Sequence, residues 1–479
     1  MNIAAQFHLG QSSSARPVEP ESPMRIMVLG DWLGDTPASG SVAERPPIGI
    51  DIDRFQQVMA RLAPGLALDE HDNLVFSDIE DFHPDRLCRN LIQLKNLLLL
   101  YEGLDDPARI RELMAEVKGN DEQSGDEASG SGPDSDLERL LGGRPPEQNQ
   151  DNAAGRQLHK LMKEVVSPHL IDTKSVEPHR QAITSRLSEQ LNAVLHEPRF
   201  QSLEANWRGL WWLVSQLVSE DVEIALLPMT REEFIEDLQA AGTQLDQSAL
   251  HRHLLGSPDQ PPWSAVVGLY EFGSEVEDIM ALSAAALIAE AAGAPFVASA
   301  RPDLAGCGDL IDLADPARWQ SGPEGESLEL WQALSKSSSG HWIGLALPRF
   351  LTRLPYRPET DPIDSFDFNE SIIDVRSLPL AGAALAVAAA LGINFENHGQ
   401  AMDPSRPVAL EDLPGFSFSD EGQSRFQSAA EMVLPDRALS ELVQRGLTPL
   451  VGAPHRTDVH IPACIAVSGQ VLSGRWNSG

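Results

Sequence analysis

Cations are scarce in this chain. Lysine and arginine together number 36 against 71 aspartates and glutamates, a formal net charge of −35 over 479 residues. Nucleic-acid phosphates and anionic membrane surfaces repel such a chain, so neither is expected as a partner. Cysteine is nearly missing too. Cys88, Cys307 and Cys464 lie far apart and are odd in number. No CxxC or Cys/His ligand spacing occurs, which supports neither a disulfide framework nor a zinc site and fits a reducing compartment. No apolar run reaches the roughly 18 residues of a membrane span. The longest, LPLAGAALAVAAALGI (378–393), is alanine-rich and too short. The N-terminus lacks the basic and apolar regions of a signal peptide, so the expected location is the cytoplasm.

Enzyme signatures are missing as well. There is no GxSxG, HExxH, Cys–His signature, GxxxxGK[ST] or GxGxxG. VLGDWLGD (28–35) reads as a tight turn after a strand, HRH (251–253) as a solvated loop, and DIEDFHPDR (78–86) as a capped helix start. An enzyme on this scaffold would need a pocket of converging polar groups, and no motif supplies one. No catalytic residue, cofactor or metal is expected.

What the chain does have is α/β patterning in two blocks. Residues 1–10, MNIAAQFHLG, alternate, with Ile3, Ala5, Phe7 and Leu9 on one face, the pattern of a strand. The tether QSSSARPVEPESP follows, so this arm must find its backbone partners elsewhere in the fold or on another chain. MRIMVLGDW (24–32) is a buried strand ending in a glycine turn. IGIDIDRF (48–55) is a strand entering a helix, with Asp53 the candidate cap. NLVFSDIEDFHPDRLCRNLIQLKNLLLLYEGL (73–104) reads as strand, turn and one long helix. Then GNDEQSGDEASGSGPDSDLE (119–138) carries seven acidic residues and no lysine or arginine, the composition of a disordered linker. Beyond it, helices at 155–166, 182–196 and 200–214 precede alternating strands and helices, including a capping box at Thr230 and Glu233 and a helix stop at Gly293. Such alternation predicts a layered domain with a largely parallel sheet. The expected boundaries are an arm and tether at 1–23, a first domain at 24–118, an acidic linker at 119–154 and a second domain at 155–479.

Three of the nine tryptophans crowd FQSLEANWRGLWWLV (200–214). On a helix, Phe200, Leu203, Trp207, Leu210, Trp211 and Val214 form one apolar face; Trp212 falls off its centre, and Glu204 and Arg208 meet on the polar side. A core helix and a domain seam both fit, since buried indole N–H groups need partners.

The stretch ITSRLSEQLNAVLHEPRFQSLEANWRGLWWLV (183–214) resembles the signature of the large subunit, TssC, of type VI secretion contractile sheaths. Leu187, Gln190, Leu191, Asn192, Leu195, His196, Pro198, Phe200, Leu203, Glu204, Trp207, Arg208, Gly209 and Leu210 carry the pattern. VVGLYEF (266–272), APFVASARPDL (294–304), WIGLALPRFLTRLPY (342–356) and GLTPLV (446–451) extend it across 160–470. The first block resembles the small subunit, TssB, through MNIAAQFHLG, MRIMVLGDW, RPPIGIDIDRF and DIEDFHPDRL, with Arg54 where that family has asparagine. The resemblance implies an α/β fusion of two sheath-subunit-like domains with mixed sheets flanked by helices, joined by the acidic linker and led by a strand-like arm. It implies a structural role: polymerising or docking through strand exchange by the arm, or else regulating or capping a sheath or baseplate end. Implied partners are sheath subunits or copies of itself, with tube protein, baseplate and a recycling AAA+ ATPase further candidates. The ATPase would read a helix bearing Leu158, Leu161, Met162 and Val165. The Trp face, Phe200, Leu203, Trp207, Leu210 and Trp211, is then expected at the junction of the two domains. Large subunits of the family continue well past GLTPLV, so a shortened C-terminal portion is a further expectation.

Overall fold

The structure, a computed structural model, describes residues 22–68, 72–104, 177–255, 261–320, 322–372, 374–420 and 423–478. The arm residues Ile3, Ala5, Phe7 and Leu9, the acidic linker 119–154 and the helix expected around Leu158, Leu161, Met162 and Val165 lie outside them. The first segment supplies β1 (Met24–Gly30), β2 (Ile48–Ile50), α1 (Phe55–Leu62), the hairpin β3 (Gly65–Ala67) and β4 (Asn73–Val75), α2 (Pro84–Asn90) and α3 (Ile92–Gly103). The second opens with α4 (Glu177–Leu195) and α5 (Pro198–Gln216). It then alternates through β5 (Val222–Pro228), α6 (Arg231–Ala241), α7 (Ala249–Leu255), β6 (Ala265–Phe272), α8 (Val276–Ala292), β7 (Phe296–Ala300), α9 (Gly325–Ser335) and β8 (Ile343–Leu347). The short strands β9 (Phe350–Leu351) and β10 (Leu380–Ala381) come next, then α10 (Ala383–His398) and β11 (Val408–Leu410). The hairpin β12 (Phe416–Asp420) and β13 (Gln423–Gln427), α11 (Asp436–Gln444), β14 (Thr448–Pro449), β15 (Val451–Gly452) and β16 (Val459–Ile461) complete the chain.

The principal sheet runs in the order β14-β8-β7-β6-β1-β5-β2. All its pairings are parallel except β2 on β5. The two segments therefore share one sheet. β1, from the first segment, pairs with β5 from Met24↔Val222 to Gly30↔Pro228 and with β6 from Ile26↔Ala265 to Leu29↔Gly268. The reason lies in MRIMVLG. Ile26 and Val28 enter the core under α5 and α10, whereas Met27 and Leu29 enter the opposite core with α6 and α8. A strand apolar on both faces needs helices above and below and strands on both sides. Burying each of these four side chains contributes about 1.5–3 kcal/mol. Together that rivals the roughly 5–15 kcal/mol net stability of a whole domain.

Local signals hold in several places. Thr230 Oγ1 accepts the Glu233 N–H while the Glu233 carboxylate accepts the Thr230 N–H, closing the capping box before α6. Gly293 ends α8 in the left-handed region. The turn after β1 is held by Asp31, whose carboxylate accepts the N–H groups of Leu33 and Gly34. Gly34 has φ +58°, and a Cβ there would sit 2.4 Å from Gly65 O.

Three local expectations need correction. Asp53 does not cap α1. The Asp51 carboxylate accepts the Arg54 N–H at 2.8 Å instead, which sets the turn before the helix. The long helix after Pro84 is broken at Leu91, whose backbone is extended. The Asp72 carboxylate accepts the Ile92 N–H at 2.9 Å and restarts the helix as α3. HRH is not a loop but lies in α7, where His253 Nε2 meets Val42 O of the first segment at 2.8 Å.

If β1 joins the segments this way, cutting the chain between them should not separate them. With a protease site inserted within residues 119–154, the cleaved pieces should co-elute on size exclusion and part only in denaturant. Separation in buffer alone would contradict the shared sheet.

Candidate functional site

The two segments meet along α5. Its start is ordered by Pro198 in the first turn and by Glu197, whose carboxylate accepts the Phe200 N–H at 2.7 Å. One face then meets the first segment. Phe200 lies edge-on to Phe76 and Phe82, which stack at 4.2 Å. Leu203 stands against the Gly34 turn. Trp207 meets Trp32 at 5.3 Å and Phe55 at 5.7 Å, both edge-on, and Trp211 meets Phe55 at 5.0 Å. Leu210 is buried in the same core. Edge-to-face aromatic pairs add about 0.5–1.5 kcal/mol each beyond the area they bury.

Periodicity set Trp212 off the centre of the first apolar face, and the structure gives it a face of its own. Trp211 stays 37% exposed, whereas Trp212 is buried. Trp212 packs on Phe350 at 4.9 Å and donates its Nε1–H to Glu411 O at 3.0 Å. The helix has a second buried face, against α10 and β9, that a single-stripe wheel does not reveal. Gly209 lies on it. A Cβ there would fall 2.7 Å from Leu385 Cδ1 and 2.9 Å from Ala381 Cβ.

A buried charge network locks the same helix. Glu204, fully buried, accepts from Arg208 Nε at 2.8 Å and from Arg353 Nε at 2.9 Å. Arg353 forks onto both oxygens of buried Glu370 at 2.8 and 3.0 Å, and the Tyr356 N–H donates to Glu370 Oε2 at 2.9 Å. Arg208 also reaches the Tyr356 hydroxyl at 3.2 Å. His196 Nε2 lies 3.5 Å from Glu370. Burial pushes the Glu370 carboxyl up, but Arg353, His196 and the Tyr356 N–H outweigh it and hold the group at about 2. Burial pushes the Arg353 guanidinium down, yet the charges of Glu204 and Glu370 raise it well above its ordinary value. These residues pair chiefly with one another and fix structure, although the second carboxylate oxygen of Glu204, Oε2, has no hydrogen-bond partner among the described residues.

The strap from Arg353 to Ile372, anchored by this network, crosses onto the first segment. Asp85 on α2 accepts the N–H groups of Asp364 and Ser365 at 3.0 and 2.9 Å, and the Ser365 hydroxyl. Burial raises the Asp85 carboxyl, but these donors win and lower it. His83 is edge-on to Tyr356 at 5.1 Å, and Phe366 lies against Tyr101. Other polar bonds cross the seam: Gln190 to Gln93, Arg199 to Asp35 and Ala67 O, Arg45 to Glu233 and Pro228 O. Asn192 accepts the Ser371 N–H at 2.9 Å. Arg353, Tyr356, Glu370, Asp85 and Trp212 had no role assigned from sequence. Their partners are remote in the chain, and DIEDFHPDR signalled only a local cap.

The VipB family model, described as EvpB/VC_A0108, tail sheath N-terminal domain, matches residues 179–464. The model described as Type VI secretion system, VipA, VC_A0107 or Hcp2, matches residues 7–123. The chain is similar to the type VI secretion system sheath protein TssC1 of Pseudomonas aeruginosa. The two are 32% identical over 290 residues, 58% of this chain and 58% of that protein. The chain thus spans less than two thirds of that relative's length.

Three substitutions test how α5 is held against the rest of the second segment. Gly209→Ala gains helix propensity of roughly 1 kcal/mol but crowds the side chains of Leu385 and Ala381, costing about 1–3 kcal/mol. The net effect should be a lower Tm, and an unchanged or raised Tm would contradict close α5–α10 contact. Arg353→Met should cost about 3–5 kcal/mol by taking the guanidinium from buried Glu370 and leaving Glu204 to Arg208 alone. The pH dependence follows from Glu370. Its folded value lies below its ordinary 4.5, so its contribution is complete above about pH 4.5 and is lost as pH falls toward 2. Glu370→Gln should flatten the stability–pH slope in that window. The same slope in both proteins would contradict it.

Proposed function

The chain belongs to the type VI secretion tail sheath family, and from that premise we propose that it is a sheath building block whose small- and large-subunit parts are one polypeptide. The observation that carries this reading is β1. A strand of the segment matched by the VipA model is flanked on both sides by strands of the segment matched by the VipB model. In an assembly of separate chains such a pairing would be an obligate subunit interface, since neither part alone satisfies the backbone of its central strands. Covalent linkage fixes the ratio of the two parts at one to one and turns their association into an intramolecular step.

In this reading the protein is structural, with no reaction of its own. It joins neighbouring copies or other sheath subunits through the arm, with Ile3, Ala5, Phe7 and Leu9 as the donated strand. Such head-to-tail contacts do not close and so grow a filament or tube. A tube protein inside the polymer, a baseplate at its end and an ATPase engaging Leu158, Leu161, Met162 and Val165 complete the proposed partners.

Negative-stain electron microscopy tests it. The full-length chain, alone or with the tube protein of the same system, should form tubular polymers. Deleting residues 1–12 should abolish them while leaving the far-UV circular dichroism unchanged. Single particles in every sample would overturn polymerisation and leave docking at one end of another sheath as the reading to pursue.

A further inference from the structure

The principal sheet ends at β2. This strand pairs with β5 on one side and, among the described residues, with no strand on the other. A groove of about 780 Å³ runs beside it, lined by residues that include Arg25, Ile50, Ile52, Val218, Glu223 and Trp263. Two large apolar side chains on its wall face solvent, Ile52 at 42% and Val218 at 69% exposure. Arg25 is the second residue of β1, so the chain running up from residues 1–23 enters the fold at this groove.

We propose that in the unassembled chain this groove and the outer edge of β2 are covered by the chain's own residues 3–9. The inference rests on the reading of those residues as a strand donor and names where the donor is held before assembly. The alternation of Ile3, Ala5, Phe7 and Leu9 offers one apolar side to Ile52 and Val218. The tether, residues 10–23, is long enough. Its 14 residues reach roughly 45 Å when extended, while the edge beyond β2 lies about three strand spacings, roughly 15 Å, from β1. Charge favours the chain's own arm over a second copy. Asp51, Asp53, Glu220 and Glu223 give the groove an acidic wall, against Arg25 and Arg54. Residues 2–9 hold no carboxylate, whereas a second copy brings a formal net charge of −35. A short tether also supplies an effective concentration on the order of millimolar, which dilute neighbours do not match. Pro46 and Pro47 stop pairing before Ile48, so the bound stretch is short and can be displaced when a polymer end offers a longer site. The arm then serves as a guard on the edge and a brake on premature growth.

A cysteine pair tests this in the full-length chain. Phe7→Cys and Ile52→Cys are introduced together and mildly oxidised. The native Cys88, Cys307 and Cys464 are buried, and burial pushes each thiol up to about 12, so they stay out of the reaction. The expected result is a disulfide within one chain, found by mass spectrometry of the monomer, at a rate independent of protein concentration. Adding Val218→Asp should slow its formation at least tenfold without changing the circular dichroism. No disulfide, or disulfide-linked dimers whose yield falls on dilution, would overturn self-docking. The strand-donor reading is judged separately. If the chain lacking residues 1–12 still polymerises, that reading fails whatever the cross-link shows. If it does not polymerise and the cross-link is missing, only the proposed resting site fails.

Discussion

The rest of the structure depends on one strand having no free side. β1 is hydrogen-bonded to β5 and β6, and its residues alternate into two separate cores. Removing it would open a gap in the middle of a parallel sheet, with unpaired N–H and C=O groups on both neighbours and apolar surface on both faces. Each buried unpaired group costs about 1–3 kcal/mol. A split sheet is therefore not a weaker version of the fold but the loss of it. The two family-like parts are parts of one folding unit, whatever the length of chain between them.

Around that strand, apolar and ionic contacts divide the work. The aromatic cluster of Trp32, Phe55, Phe76, Phe82, Phe200 and Trp207 supplies burial without direction. The Glu204–Arg353–Glu370 network supplies direction. Its geometry is bidentate on Glu370, and each buried carboxylate has a cation. A buried ion network of this kind adds little net stability over a packed apolar core. Its effect is to fix how α5 and the 353–372 strap sit, and so how Asp85 receives Ser365. The sheath-type motif in α4 and α5 thereby has a physical account. Leu187, Leu191 and Leu195 fill the core, Gln190 and Asn192 make polar bonds to Gln93 and Ser371, and Glu204 and Arg208 enter the charge network.

What was legible in the sequence was local. The capping box at Thr230, the stop at Gly293 and the strand–helix alternation after Val222 are set by neighbours within a few residues. The central place of β1 was half legible. MRIMVLG announces burial on both faces, but nothing in it names β5 and β6, whose partner residues lie 198 and 239 positions later. Trp212 was left without a partner for a related reason. A helical wheel finds one stripe, and α5 is packed on two. The break at Leu91 was illegible because the leucine spacing continues through it, while the carboxylate that restarts the helix comes from Asp72, outside the periodic run. Arg353 and Glu370 carry no local pattern; only the fold brings Arg353 between Glu204 and Glu370. The family motif was legible as a resemblance before it was legible as physics.

Amide hydrogen exchange on the intact chain tests the central claim most directly. If β1 is the keystone of one sheet, the amides of Ile26 to Leu29 exchange only through global unfolding, with the same free energy and denaturant slope as those of β5 and β6. Exchange of β1 at a lower free energy, while β5 and β6 remain protected, would show that the first segment opens on its own and would contradict a single folding unit.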